Sequence, residues 1–168
     1  MHPAGQVDID GDTATLRFER TYPHPPEKVW AALTDPEQLG AWFMTKATID
    51  GRPGGSVEMI SGPAQFHWTG PILEWDPPRR YSYEWNLPPH PHVPNGEASI
   101  VTWELFPEGQ GTRLKLTHQK LTTGTALGFA PGTHAFLDRL GAQLDGAALP
   151  NWMHRYEEVK HAYPAWSR

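Results

Sequence analysis

The side chain in this sequence best suited to chemistry is His118, which ends the run Leu114-Lys115-Leu116-Thr117-His118. Strand alternation puts Leu114, Leu116 and His118 on one face and Lys115 and Thr117 on the other, so the imidazole is expected to point inward. A neutral imidazole there can orient a ligand carbonyl or hydroxyl, or act as a general base near neutral pH. It can equally be satisfied by a neighbouring backbone or tyrosine group, as buried polar atoms regularly are. No second acid–base residue can be placed beside it. His67, next to Trp68, has ambiguous facing, because a bulge near Gly70-Pro71 would reverse its parity. Glu74 shares the parity of Ile72, although an exposed glutamate is the commoner case.

Nine histidines invite a metal. His90 and His92 form one pair, and His154, Glu158 and His161 fall near one helical face. Neither group completes a zinc-type ligand set, so no metal and no other cofactor is expected. There is no phosphate loop, dinucleotide fingerprint or nucleophile elbow. Arg79-Arg80 reads as a solvated turn.

Aromatic residues supply the second chemical signal. Tyr81, Tyr83 and Trp85 alternate with polar residues, and so do Val101, Trp103 and Leu105. Plain core packing gives this pattern too, but tryptophan and tyrosine add polar tips, and eight tryptophans is a high count. An aromatic wall with a few polar tips suits a flat or hydrophobic ligand. The expected cavity set is Met59, Trp68, Tyr83, Trp85, Trp103, Leu116 and His118 from strands. Trp42 and Phe43 join from a helical pair, and Leu137 and Leu140 from a last helix.

The elements that must hold these residues follow from periodicity. Thr13 to Tyr22 reads as a strand. Pro25-Pro26 starts a short helix with Val29, Trp30 and Leu33 as its stripe. Asp35-Pro36-Glu37-Gln38 restarts one, with Asp35 as cap. Short strands are expected at 47–50 and 56–60, then longer ones at 66–75, 81–87, 99–106 and 112–119. Their Gly- and Pro-rich turns make an antiparallel sheet. Leu87 to Gly96 is a proline-rich loop. After Gly132, Phe136, Leu137, Leu140 and Leu144 mark a helix, and Pro150 to Tyr163 a further one. Segregated strands and helices give an α+β fold, with residues 1–12 as a flexible tail and 13–168 as one domain.

The totals limit the partners. The chain has 168 residues, a formal charge of -5 and no cysteine. A domain-wide basic footprint for nucleic acid is absent, and disulfides and thiolate sites are excluded. The opening MHPAGQVDIDGD has neither a basic region nor an apolar run, so no signal peptide is expected. No segment approaches the ~20 apolar residues of a membrane helix. A cytoplasmic protein with no membrane insertion fits these features.

HPPEKVWAALTDPEQLGAWF, GGSVEM, GPILEWDPPRRYSYEW, SIVTWEL, GTRLKLTH and HAFLDRLGAQL occur in that order. Together they resemble the START-like, or SRPBCC, superfamily over about Thr13 to Gly146. Within it they resemble bacterial relatives of the C-terminal domain of the heat shock protein 90 ATPase activator. The resemblance implies a helix-grip fold: a curved antiparallel sheet around a long C-terminal helix, with an internal cavity. The helical-pair motif carries over onto Val29, Trp30, Leu33, Trp42 and Phe43, where it implies packing and a cavity rim. Gly132-Thr133 stands where such proteins often have Gly-Trp, so ligand type does not transfer. The leading expectation is a binder of a small hydrophobic or aromatic molecule. An enzyme in the same cavity (a cyclase, dehydratase or hydrolase of polyketide-like compounds) is the alternative. A chaperone-linked module is less favoured, because the chain has no room for the eukaryotic activator's second, N-terminal domain. A homodimer through exposed β-edge and loop surface is a further expectation.

Overall fold

The structure, a computed structural model, describes residues 3–61, 65–91 and 93–165. Strand β2 (Thr13–Tyr22) shows the rule that organises the sheet. Ala14, Leu16, Phe18, Arg20 and Tyr22 are buried, while Arg17, Glu19 and Thr21 are exposed. Period two therefore assigns one face of each strand to the interior. The remaining strands are β1 (Gln6–Asp10), β3 (Thr45–Ile49), β4 (Ser56–Ser61), β5 (Phe66–Asp76), β6 (Arg80–Leu87), β7 (Glu97–Glu108) and β8 (Gly111–Thr122). They form one antiparallel sheet in the order β1-β2-β8-β7-β6-β5-β4-β3.

Strand β1 corrects the expectation of a loose tail. Val7 pairs opposite Leu16 and Ile9 opposite Ala14, and Asp8 accepts from Arg17 at 2.9 Å. The Gly5 N–H also donates to the Tyr163 hydroxyl at 2.7 Å. The signal was weak because only two apolar residues alternate in this run, and one of them, Ile9, stays half exposed.

Since β2 lies near one edge of the sheet and β3 at the other, the chain between them must traverse it. Helices α1 (Pro26–Thr34) and α2 (Pro36–Trp42) make that crossing. Proline opens each helix where its missing N–H costs nothing. The Asp35 carboxylate caps α2 by accepting from the Glu37 N–H at 3.1 Å. Val29, Ala32, Leu33, Leu39 and Trp42 are the buried stripe of the pair.

Two irregularities aim the sheet. The register of β5 against β6 shifts between Ile72 and Glu74, which leaves Leu73 and Glu74 both exposed, and Glu74 accepts from Arg80 at 2.7 Å. That bulge resolves the facing of Glu74 as outward. His67 is exposed too, 3.1 Å from Glu58. The second irregularity follows His118: the pairing of β2 with β8 slips, and Lys120 takes a left-handed φ of 65°. Leu121 thereby returns to the core. Between them, Gly70 lets β5 press onto β6. A Cβ there would lie 1.9 Å from the Glu84 carbonyl oxygen, so no other residue fits.

The long helix α3 runs from Thr123 to Asp145 and ends on Gly146 in a left-handed cap. It starts ten residues before the sequence placed it. Gly124, Gly128, Pro131 and Gly132 are poor helix formers, but Ala126 and Ala130 are fully buried and Pro131 sits inside the helix. Packing of the small-residue face outweighs the local propensity. Helix α4 (Trp152–Val159) follows, capped by the Asn151 side chain, which accepts from the His154 N–H at 3.0 Å. Arg139 of α3 donates from Nε to the Trp42 carbonyl and from Nη2 to the Ala41 carbonyl, both at 2.9 Å. Its Nη1 reaches the Pro150 carbonyl. Among the described residues no helix is long and apolar enough to cross a membrane.

Leu140 is fully buried on the face of α3 that meets the core. Leu140→Ala is expected to destabilise the fold by about 2–5 kcal/mol, as large-to-small core changes do. Denaturant melts check this, and a loss under about 1 kcal/mol would contradict the packing of that face.

Candidate ligand cavity

Between the concave face of the sheet, α3 and α4 lies a cavity of about 600 Å³. Its floor is the inward face of three strands: Tyr83 and Trp85 of β6, Val101 and Trp103 of β7, Leu116 and His118 of β8. Trp42 and Phe43 close one side. Residues of α3 (Gly128, Phe129, Gly132, Thr133, Phe136 and Leu137) form the roof, while Phe66 and the α4 residues Trp152, Met153 and Tyr156 border it. The lining among the described residues holds ten aromatic side chains besides His118 and no carboxylate, lysine or arginine.

Most polar tips on this wall are already committed. Trp42 Nε1 donates to the Ala32 carbonyl at 2.7 Å and Trp152 Nε1 to the Gly132 carbonyl at 3.1 Å. The Tyr156 hydroxyl donates to the Gly128 carbonyl at 3.2 Å. Trp103 Nε1 donates to the Tyr83 hydroxyl at 3.2 Å, which leaves the Tyr83 proton itself uncommitted. The Thr133 hydroxyl makes no hydrogen bond among the described residues. Burial pushes the Tyr83 phenol well above its ordinary range, so it remains protonated.

His118 is buried, and its Nε2 lies 2.7 Å from the Ser99 hydroxyl. Ser99 sits diagonally across from it on β7, on the same inward face. Ser99 also donates to the Trp85 carbonyl at 3.2 Å. The His118 ring is 5.0 Å from the Trp85 ring and 6.0 Å from the Phe129 ring, centre to centre. Burial lowers the His118 pKa to about 3, so the imidazole stays neutral near pH 7. A group with so low a pKa is a weak base, which weighs against the general-base alternative near neutral pH.

The structure brings Trp42, Phe43, Tyr83, Trp85, Trp103, Leu116, His118 and Leu137 onto one wall, and leaves Met59, Trp68, Leu140 and Trp30 off it. Met59 pairs opposite Trp68 and both are buried behind the wall, where Trp68 stacks on Trp85 at 4.0 Å between ring centres. Inward parity is shared by cavity and core residues, so it could not separate them. Leu140 lies on the core side of α3. Trp30 packs against Trp75 and Tyr81. Sequence reasoning missed Val101, which shares the strand parity of Trp103, and Phe66. It also missed the α3 and α4 residues Gly128, Phe129, Gly132, Thr133, Phe136, Trp152, Met153 and Tyr156. Starting the helix only after Gly132 hid Gly128, Phe129 and Gly132, although Phe129, Thr133 and Phe136 recur at helical spacing. His90 sits in an isolated bridge with Val93, His92 lies outside the described residues, and no metal-ligating cluster occurs among those described.

A curved antiparallel sheet gripping a long C-terminal helix around a cavity defines the helix-grip, START-like class. Within that class, the chain belongs to the family described as Activator of Hsp90 ATPase homolog 1-like protein, which matches residues 23–145. Among solved structures it resembles CalU16 from Micromonospora echinospora, with a TM-score of 0.72 and 26% identity over 96% of each chain. Protein MLL2253 from Mesorhizobium loti gives 0.70 at 29% identity, over 80% of this chain and 99% of that one. The BPP1335 protein of Bordetella parapertussis gives 0.69 at 26% identity, over 96% and 89%. No functionally curated protein matches the chain.

The neutral His118 has a consequence for stability. Its folded pKa lies below its ordinary value of 6.5, so below that pH the unfolded chain binds the proton and the folded one does not. The stabilisation is complete above about pH 6.5 and falls by up to roughly 1.4 kcal/mol per pH unit towards pH 3. His118→Gln is expected to be less sensitive to acidification from about pH 7 to about pH 5 than the unaltered protein. Urea midpoints at the two pH values measure this, and equal sensitivity would contradict a buried neutral imidazole.

Proposed function

We propose that this protein binds a small, hydrophobic, aromatic molecule in the cavity between sheet and α3, and that it does so without bond chemistry. The observation that carries the reading is the lining: about 600 Å³ walled by ten aromatic side chains, with no ionised group among the described residues. The volume lies within the range of small-molecule sites, and such sites are mostly apolar with a few placed polar groups. Family membership is compatible with ligand binding.

The reading as a binder rather than a catalyst rests on what surrounds His118. Its partner Ser99 is not on the cavity wall, and the Ser99 proton is directed to a backbone carbonyl. No carboxylate faces the ring to raise its basicity, as a general base near neutral pH requires. His118 then tunes affinity, with a hydrogen bond contributing about 0.5–1.5 kcal/mol net.

Gly128 offers a direct test. It is exposed at the cavity mouth, and a Cβ built there meets nothing within 4 Å. Gly128→Phe is expected to narrow the mouth and weaken binding of a co-purified or screened aromatic ligand by about tenfold or more, since 1.4 kcal/mol is one decade. Its melting temperature should be equal or higher, because glycine inside a helix costs roughly 0.5–1 kcal/mol. Native mass spectrometry of freshly purified protein identifies the ligand, and titration calorimetry compares the two proteins. Undiminished affinity in the variant would place the ligand elsewhere. Product formation by the unaltered protein that falls by orders of magnitude in His118→Gln, with binding intact, would replace the binder by an enzyme.

A further inference from the structure

The polar centre of the cavity has a defined hydrogen-bonding sense. Ser99 owns one hydroxyl proton and makes two contacts, to the Trp85 carbonyl at 3.2 Å and to His118 Nε2 at 2.7 Å. A carbonyl can only accept, so both contacts are hydrogen bonds together only if the Ser99 proton goes to the carbonyl and Nε2 carries a hydrogen that it donates to Ser99; that is the arrangement inferred here. In the neutral ring, Nδ1 is then a bare acceptor. It has no hydrogen-bond partner among the described residues, and His118 lies on the cavity wall. We propose that the cavity selects a neutral, planar ligand bearing a hydroxyl, a phenol or an enol, which donates to His118 Nδ1; this rests on the ligand-cavity reading.

Each alternative ligand chemistry meets a specific obstacle. A hydrocarbon, an ether or a ketone brings no proton and leaves the acceptor buried and unpaired, which costs free energy. A carboxylate also lacks the proton and finds no cation in the lining. A protonated amine has a proton to give but finds no carboxylate to balance its charge. A hydroxyl on an aromatic ring satisfies Nδ1 while its ring lies among Trp85 and Phe129, whose ring centres are 5.0 and 6.0 Å from the imidazole. Tyr83 stands on the same cross-strand line, opposite Val101, which is itself opposite His118. Its uncommitted proton gives ligand oxygen a donor on the same face.

The test uses the full chain and three probes of one ring size: naphthalene, 2-methoxynaphthalene and 2-naphthol, titrated by NMR or calorimetry. The expected result is that all three bind and that 2-naphthol binds about three- to tenfold more tightly than 2-methoxynaphthalene, the range of one net hydrogen bond. His118→Phe is expected to lose that preference, read as the ratio of the 2-naphthol and 2-methoxynaphthalene affinities within the variant. Ser99→Ala, which retains the imidazole but removes the partner that holds its tautomer, is expected to narrow it. If naphthalene binds and 2-methoxynaphthalene matches or exceeds 2-naphthol on the unaltered protein, the hydroxyl proposal is overturned while the cavity reading stands. If none of the three binds, the cavity reading fails and this proposal with it.

Discussion

One side chain, Arg139, holds together the parts that enclose the cavity. The last carbonyls of a helix have no partner within it, and α2 ends against the protein interior. The Arg139 guanidinium takes the carbonyls of Ala41 and Trp42 at that end, and through Nη1 the Pro150 carbonyl just before α4. The end of α2, almost a hundred residues away in sequence, and the segment before α4 thereby share one charged, planar donor set on α3, and hydrogen bonds to charged groups are stronger than neutral ones. Trp42 and Phe43, Phe136 and Leu137, and Trp152 and Met153 lie beside these anchored carbonyls and are all cavity wall. Burial lowers the Arg139 pKa, but from so high a starting value that the group keeps its charge.

With the roof fixed in this way, the sheet supplies the remaining geometry. The bulge at Leu73 turns Glu74 outward to Arg80, and the bulge at Lys120 follows directly on His118. Where the cavity lies, the concave side presents aromatic rings and one imidazole that burial holds neutral, with no charged side chain among the described lining residues. The cavity is consequently apolar, yet not uniform, because Nδ1 of His118, the Tyr83 proton and the Thr133 hydroxyl stay uncommitted within it among the described residues.

Much of this was legible in the sequence, for reasons that also explain what was not. Period-two alternation placed Tyr83, Trp103, Leu116 and His118 on the inner face, since one-sided burial leaves a strand little choice. The capping residue Asp35 and the two prolines marked the helical pair, because those residues act locally. By contrast, the early start of α3 depends on burial of Ala126 and Ala130 against a sheet that no local window sees. Likewise, Met59 and Trp68 have the same parity as cavity residues, and only the depth of packing separates a wall from what stands behind it. The Ser99 partnership was hidden because it joins two strands diagonally, while strand parity speaks only about facing.

The stack behind the wall has an optical consequence. Trp68 and Trp85 lie with ring planes 12° apart and centres 4.0 Å apart, and Trp85 forms part of the cavity surface while Trp68 does not. Indoles that close share their electronic excitation, so their near-ultraviolet transitions mix and their circular dichroism belongs to the pair. A guest that tilts Trp85 changes the coupling with a chromophore it never touches. A ligand bound as proposed would then report itself through this pair of chromophores, of which only Trp85 lines the cavity.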